Sequence, residues 1–320
     1  MTTFKVLRAG IQATVQDAGR PGYRTLGVPG SGALDTVALH LVNALVGNHA
    51  NCAALEMLYS GISLEVAGGT ARIAVSGAAA TIDRAGTGAI ALPAWHSVLL
   101  QSGDRLRIAT PADTAAGYLA VEGGFAVPNV LGSASTYVQG GLGGYDGRAL
   151  RAGDSLTPAG PRALSRDERR YATPPSLTQP VALRVIPGPQ TTHFAGDALD
   201  CLLSQQYHVT PASNRSGLRL EGPVLRHRAG HDLLSEGVAT GSIQVPGSGQ
   251  PVILLADHPT VGGYPKIATV ISADWPAAGR LRIGSPVRFA LADETAAAAA
   301  RRAQQEWIAE LVAAMETVGA

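Results

Sequence analysis

From Leu55 to Ile108 apolar and polar residues alternate in short runs: Ile62-Ser63-Leu64-Glu65-Val66, Ala71-Arg72-Ile73-Ala74-Val75 and Arg105-Leu106-Arg107-Ile108. Gly68-Gly69, Gly77, Gly86, Gly88 and Gly103-Asp104 punctuate them. A period of two sends successive side chains to opposite faces, and runs this short between turn residues are strands. The chain is thereby held to short antiparallel strands, hence a barrel or a sandwich. Tyr118-Leu119-Ala120-Val121 adds a strand before Gly123-Gly124. The rhythm returns at Leu183–Ile186, Val209, Leu218–Leu220, Ile243–Val245, Val252–Leu255, Thr269–Ile271 and Val287–Ala290. With 39 glycines and 20 prolines there are turn residues enough for so many connections.

Helices are few. Asp35 is an N-cap for an amphipathic helix with Ala38, Leu41, Val42 and Leu45 on one face and Gly47 at its end. Before it, Gly10 to Asp35 reads as a long loop. A second helix follows Asp293, with Ala303, Trp307, Leu311 and Met315 as a stripe docking on the barrel. Pro158, Pro161, Pro174, Pro175 and Pro180 flank the charged run Ser165–Arg170, which reads as a linker. The expected organisation is an N-terminal β domain over 1–160, a proline-rich linker over 161–180, a C-terminal β domain over 181–292 and a terminal helix over 293–320.

Composition excludes several classes. Basic and acidic residues number 25 and 24, which argues against a nucleic-acid or membrane-surface binder. Hydrophobic residues at 46% exclude a disordered chain. Cys52 and Cys201 make neither a disulfide scaffold nor a zinc pattern, so a reducing cytoplasm is expected. No apolar run approaches the roughly 20 residues of a membrane span, and the N-terminus lacks a signal-peptide layout. Phosphate-loop, dinucleotide, HExxH and nucleophile-elbow motifs are absent. His227 and His231 have helical metal-ligand spacing, but Arg226, Arg228 and Gly230 mark strand or loop, so no metal site is expected. No methionine precedes a lysine, so biotin is not expected on this chain.

Three segments set polar residues among glycines: Gln16-Asp17-Ala18-Gly19-Arg20; Gly132-Ser133-Ala134-Ser135-Thr136 with Gly140–Gly144; and Ser235-Glu236-Gly237 through Gln244 and Asp257 to Gly262-Gly263-Tyr264-Pro265-Lys266. Glycine lets the backbone approach a ligand and frees N–H donors for an anion. Tight turns satisfied by Asp and Arg account for each segment as well.

The stretches Thr14–Arg20, Gly27–Asp35, Leu131–Thr136, Gly188-Pro189-Gln190, Asn214-Arg215-Ser216-Gly217, Ser235-Glu236-Gly237, Gly241–Pro246 and Thr260–Pro265 run in one order along residues 4 to 291. In this the chain resembles the biotin-dependent carboxyltransferase family that includes the 5-oxoprolinase C subunit, KipA and allophanate hydrolase subunit 2. The resemblance implies a mainly β fold of two cyclophilin-like β-barrel domains. It implies two partners, the KipI-like B subunit of 5-oxoprolinase and its A subunit, with which the assembly opens 5-oxoproline to L-glutamate using ATP as co-substrate. Urea carboxylase relatives move a carboxyl group from carboxybiotin to urea, so a carboxyltransferase half is an alternative, as is a KipA-like regulatory module. The chain departs from the family at Arg280 and Pro259, where Gln is usual, and at Ser216, where Met is usual.

Both reactions act on a planar amide or urea. Each needs donors at a developing oxyanion and a carboxylate to take or orient a proton. The residues expected to serve are Lys266 and Arg215 for charge near the oxygen, Asp257 and Glu236 for the proton, and Gln244 for the amide. Gly262 and Gly263 allow close approach beside Tyr264, with Ser133, Gln16, Asp17 and Arg20 as further binding residues. Asp17 and Arg20 also fit a buried pair that pins a loop.

Overall fold

In a computed structural model that describes residues 1–160, 165–177, 182–228 and 230–318, the alternating runs form antiparallel sheets, and the fold is mainly β with four helices among the described residues. The chain forms two units: Met1–Arg20, Ser31–Ser176 and Trp307–Ala320 make the first, and Pro21–Gly30 with Leu177–Glu306 the second. The expected limits of 1–160 and 181–292 follow the chain; these units interleave along it.

In the first unit a six-stranded sheet runs from Ser155–Leu156 through Thr3–Arg8, Ser63–Ala67, Arg105–Ile108 and Ala80–Arg84 to Gly88–Leu92. A five-stranded sheet runs from Gln12–Gln16 through Ala54–Leu58, Ala116–Val121 and Ala71–Ser76 to Ser97–Leu100. Phe4, Val6, Leu64 and Leu106 of one sheet share a core with Val15, Leu55, Ile73 and Leu119 of the other. This is the alternation at work, since inward residues of both sheets meet in one apolar layer. The helix Thr36–Leu45 buries Leu41, Val42 and Leu45, and Asp35 caps it by accepting from the Val37 and Ala38 amides at 3.1 and 3.0 Å.

The second unit holds an eight-stranded sheet in the order Pro286–Val287, Tyr207–Val209, Gly217–Glu221, Val252–Leu254, Ser242–Gln244, Lys266–Val270, Leu183–Pro187, Phe289–Leu291. Its first and last strands are separated in the chain by Arg288 alone, so the sheet returns on its own start as a nearly closed barrel. Near-closure leaves little free edge to pair with other chains. Glu236–Gly237 and Val261–Gly262 form a separate two-stranded ribbon.

Four features differ from the expectation. Gln12–Gln16 is a strand inside the expected loop, invisible to a period-two reading because Ala13, Thr14, Val15 and Gln16 are all buried. Residues 21–30 belong with the second unit. Within the expected linker, Glu168–Tyr171 pairs with Met315–Val318. Of its charges Glu168 meets buried Arg72 at 3.0 Å, while Asp167 and Arg170 stay exposed, and the Tyr171 hydroxyl donates to Leu41 O. Linker residues 161–164 and 178–180 lie outside the described residues. The terminal helix spans Glu294–Ala313, with Ile308 as its buried residue; Ala303 is exposed and Met315 lies in the strand beyond. Among the described residues no helix is long and apolar enough to cross a membrane.

Candidate functional site

In the second unit the Lys266–Val270 strand pairs with Ser242–Gln244, which sets Gln244 opposite Lys266. The ribbon sets Glu236 opposite Gly262. Two long-range pairings thus bring together four residues that the sequence spreads over some thirty positions. Lys266 Nζ is bonded to Glu236 Oε1, and Gln190 Nε2 donates to the same oxygen at 2.7 Å. Gln190 also accepts from the Lys266 amide at 3.2 Å, so one side chain ties both members of the pair. The Lys266 hydrogen bond holds the Glu236 carboxyl below the usual carboxylate range.

Gln244 is buried and donates to Tyr264 O at 3.4 Å. A Cβ on Gly262 would stand 2.5 Å from Gln244 Nε2, so a side chain there would displace the amide. Gly263 O accepts from the Leu233 amide at 2.7 Å, and Tyr264 is 41% exposed. A buried ammonium, two amides and a solvent-reaching carboxylate can polarise a carbonyl oxygen and move a proton.

Arg215 and Asp257 are brought together with each other. Nε and Nη2 of Arg215 meet Oδ2 and Oδ1 of Asp257 at 2.8 and 3.2 Å, and both side chains are buried. The two charges neutralise in a forked pair that also bonds main chain to main chain, the Asp257 amide to Arg215 O. Beside them His258 is buried, and burial pushes its pKa down to about 4. Its ring contacts Thr240 and Arg24.

The remaining candidates belong to the first unit. Asp17 accepts from Ser133 Oγ and Ser135 Oγ at 2.6 Å, from the Ala134 amide at 2.7 Å and from the Gly19 amide at 2.8 Å. Arg20 donates to Val130 O and Ser135 O. Both residues pin the 130–136 loop and meet at Ser135, Asp17 through its hydroxyl and Arg20 through its carbonyl. Gln16 donates to Thr14 Oγ1 and Thr136 O. A cavity of about 420 Å³ lies alongside, lined by Asp17, Gly19, Asn51, Gly124, Asn129 and Gly132 among others.

His227 and His231 are not on a helix; His227 Nε2 lies against Val245 O and its ring against Phe194. Among the described residues no group of three or more His, Cys, Asp or Glu could hold a metal ion. Gln190, Thr240, His258 and Arg24 were missing from the sequence reading of the site. Gln190 ends the Gly188-Pro189-Gln190 stretch and His258 follows Asp257, which are signals of position; for Thr240 and Arg24 there is none.

Residues 26–291 match the family model for the carboxyltransferase domain, subdomains A and B. The chain is 37% identical to the 5-oxoprolinase C subunit of Escherichia coli, over 96% of this chain and 97% of that one. It is 34% identical to the 5-oxoprolinase C subunit of Haemophilus influenzae, over 96% of each. The crystal structure of the K. lactis urea amidolyase superposes with a TM-score of 0.86 at 28% identity, covering 97% of this chain and 20% of that one.

Proposed function

Starting from the fact that the chain belongs to the carboxyltransferase family of subdomains A and B, we propose that it is the C subunit of an ATP-dependent 5-oxoprolinase. It works with the KipI-like B subunit of that enzyme and with its A subunit, opens 5-oxoproline to L-glutamate, and is inactive alone. The observation that carries this reading is the end-to-end similarity to two 5-oxoprolinase C subunits, in a chain whose barrel pairs buried Lys266 with half-exposed Glu236.

A lactam carbonyl is unreactive because the nitrogen lone pair is delocalised into it. ATP transfers its terminal phosphoryl group to the lactam oxygen and leaves as ADP; water adds to the carbon, the C–N bond breaks as the nitrogen takes a proton, and a second water hydrolyses the resulting acyl phosphate to glutamate and phosphate. This chain's residues bind and move protons around that sequence. The Lys266 ammonium takes the substrate oxygen in place of Glu236, which stabilises negative charge there. Glu236, released from the hydrogen bond that lowers its basicity, accepts a proton from water. Gln244 holds the lactam edge with one donor and one acceptor, and Gly262 leaves room for it. Tyr264 closes the rim, while Arg215 and Asp257 keep the turn before His258 rigid.

The fit to the K. lactis structure favours one second reading, carboxyl transfer to a urea-like nitrogen. Co-purification with both partner subunits, followed by an assay for glutamate release from 5-oxoproline, tests the first. Release that requires ATP and ignores avidin supports it. Avidin-sensitive carboxylation of urea without glutamate release replaces it with the second.

A further inference from the structure

Guanidinium groups in this protein commonly face carboxylates: Arg72 meets Glu122, Arg84 meets Asp104, Arg148 meets Asp154 and Arg184 meets Asp274. Arg24 differs. It stands in the short turn Arg24–Leu26, half-buried in the second unit, with Nη1 3.2 Å from His258 Nε2. Among the described residues no carboxylate lies within ion-pair distance of it. Asp257, next to His258 in the chain, has both oxygens on Arg215.

The imidazole is arranged to aim the guanidinium without cancelling its charge. His258 Nδ1 lies 2.7 Å from Pro259 O, which can only accept, so Nδ1 carries the ring proton. Nε2 is then an acceptor, facing Arg24 and the Thr240 hydroxyl at 3.1 Å. The ring is 1% exposed and its low pKa keeps it neutral at ordinary pH. A half-buried guanidinium with a neutral partner keeps its full charge for an anion that reaches it.

We propose that Arg24 is an oxyanion-binding residue of the second unit, aimed by His258, which takes a carboxylate or phosphate group of a bound ligand. The guanidinium fork matches either group with two parallel hydrogen bonds. This contact is distinct from the Lys266 pair. Glu236 faces Gly262, the Val238 amide bonds Thr260 O, and Thr240 meets His258. Glu236 lies in the ribbon, whereas Thr240 lies in the turn beyond it. The proposal therefore stands without the roles given to Lys266 and Glu236, and an uncharged substrate such as urea would leave Arg24 empty.

Isothermal titration of the full chain with sodium phosphate and, separately, sodium acetate at constant ionic strength tests it. Wild type binds at least one anion, Arg24→Gln weakens that binding tenfold or more, and His258→Phe weakens it about threefold or more. Binding of phosphate alone identifies a phosphate ligand, and binding of acetate alone a carboxylate ligand. Absence of binding by wild type, or an unchanged Kd in Arg24→Gln, overturns the proposal; an unchanged Kd in His258→Phe overturns the aiming role. Circular dichroism checks the fold. Should Arg24→Gln not fold, Arg24→Lys replaces it, with weaker binding expected from the lost fork and unchanged binding contradicting it.

Discussion

Lys266 and Glu236 form an ion pair of unequal halves, the lysine side chain 6% exposed and the glutamate 47% exposed. The buried charge is the one that cannot be left bare, while its partner is reachable from solvent. An entering carbonyl oxygen can therefore exchange with Glu236 at the ammonium without opening the barrel.

The asymmetry predicts unequal stability effects. Lys266→Met leaves a carboxylate that water can solvate, so the melting temperature stays near wild type. Glu236→Gln leaves a buried ammonium without its counter-charge, and the melting temperature falls below that of Lys266→Met. Thermal denaturation of both variants at pH 7.5 checks the order.

Acid destabilisation should carry a histidine signature. The folded-state pKa of His258 is about 4, below the roughly 6.5 of an unfolded histidine. Between those values the unfolded chain binds more protons, so stability is full above about pH 6.5 and is lost as pH falls toward 4, by up to about 3 kcal/mol. Burial also pushes His40 below the ordinary histidine value. The difference between wild type and His258→Gln isolates the His258 share: urea denaturation from pH 7 to 4.5 should give the variant a shallower slope.

Space at Gly262 is predicted to set substrate affinity. A methyl group there meets Gln244 Nε2 at 2.5 Å and must push the amide aside. Gly262→Ala should raise the KM for 5-oxoproline about threefold or more at a stability cost of about 1 kcal/mol. Steady-state kinetics of the reconstituted complex give the first figure and urea denaturation the second.

Asp17 is predicted to be structural. Replacing it by alanine removes an acceptor from two serine hydroxyls and two amides. The expected loss is about 3 kcal/mol, read as a lower urea midpoint.

Local rules made much of the fold legible. Arg105–Ile108 alternates in the sequence and in the sheet, and Asp35 caps its helix, because both effects act over a few residues. Elements whose partner is far along the chain stayed hidden. Glu168–Tyr171 looks like a solvated charge run until Met315–Val318 pairs with it and Arg72 meets Glu168. In the site, the clustering of Lys266, Glu236, Gln244 and Gly262 was visible as proximity in sequence. Gln190 and Arg24 reach their partners across 46 and 234 positions, which no local pattern encodes.

The most direct measurement is ATP-dependent glutamate release from 5-oxoproline by the complex reconstituted with wild-type, Lys266→Ala or Glu236→Gln chain. The account predicts turnover at least tenfold lower in both variants, with assembly of the complex retained. Wild-type turnover in either variant would contradict it.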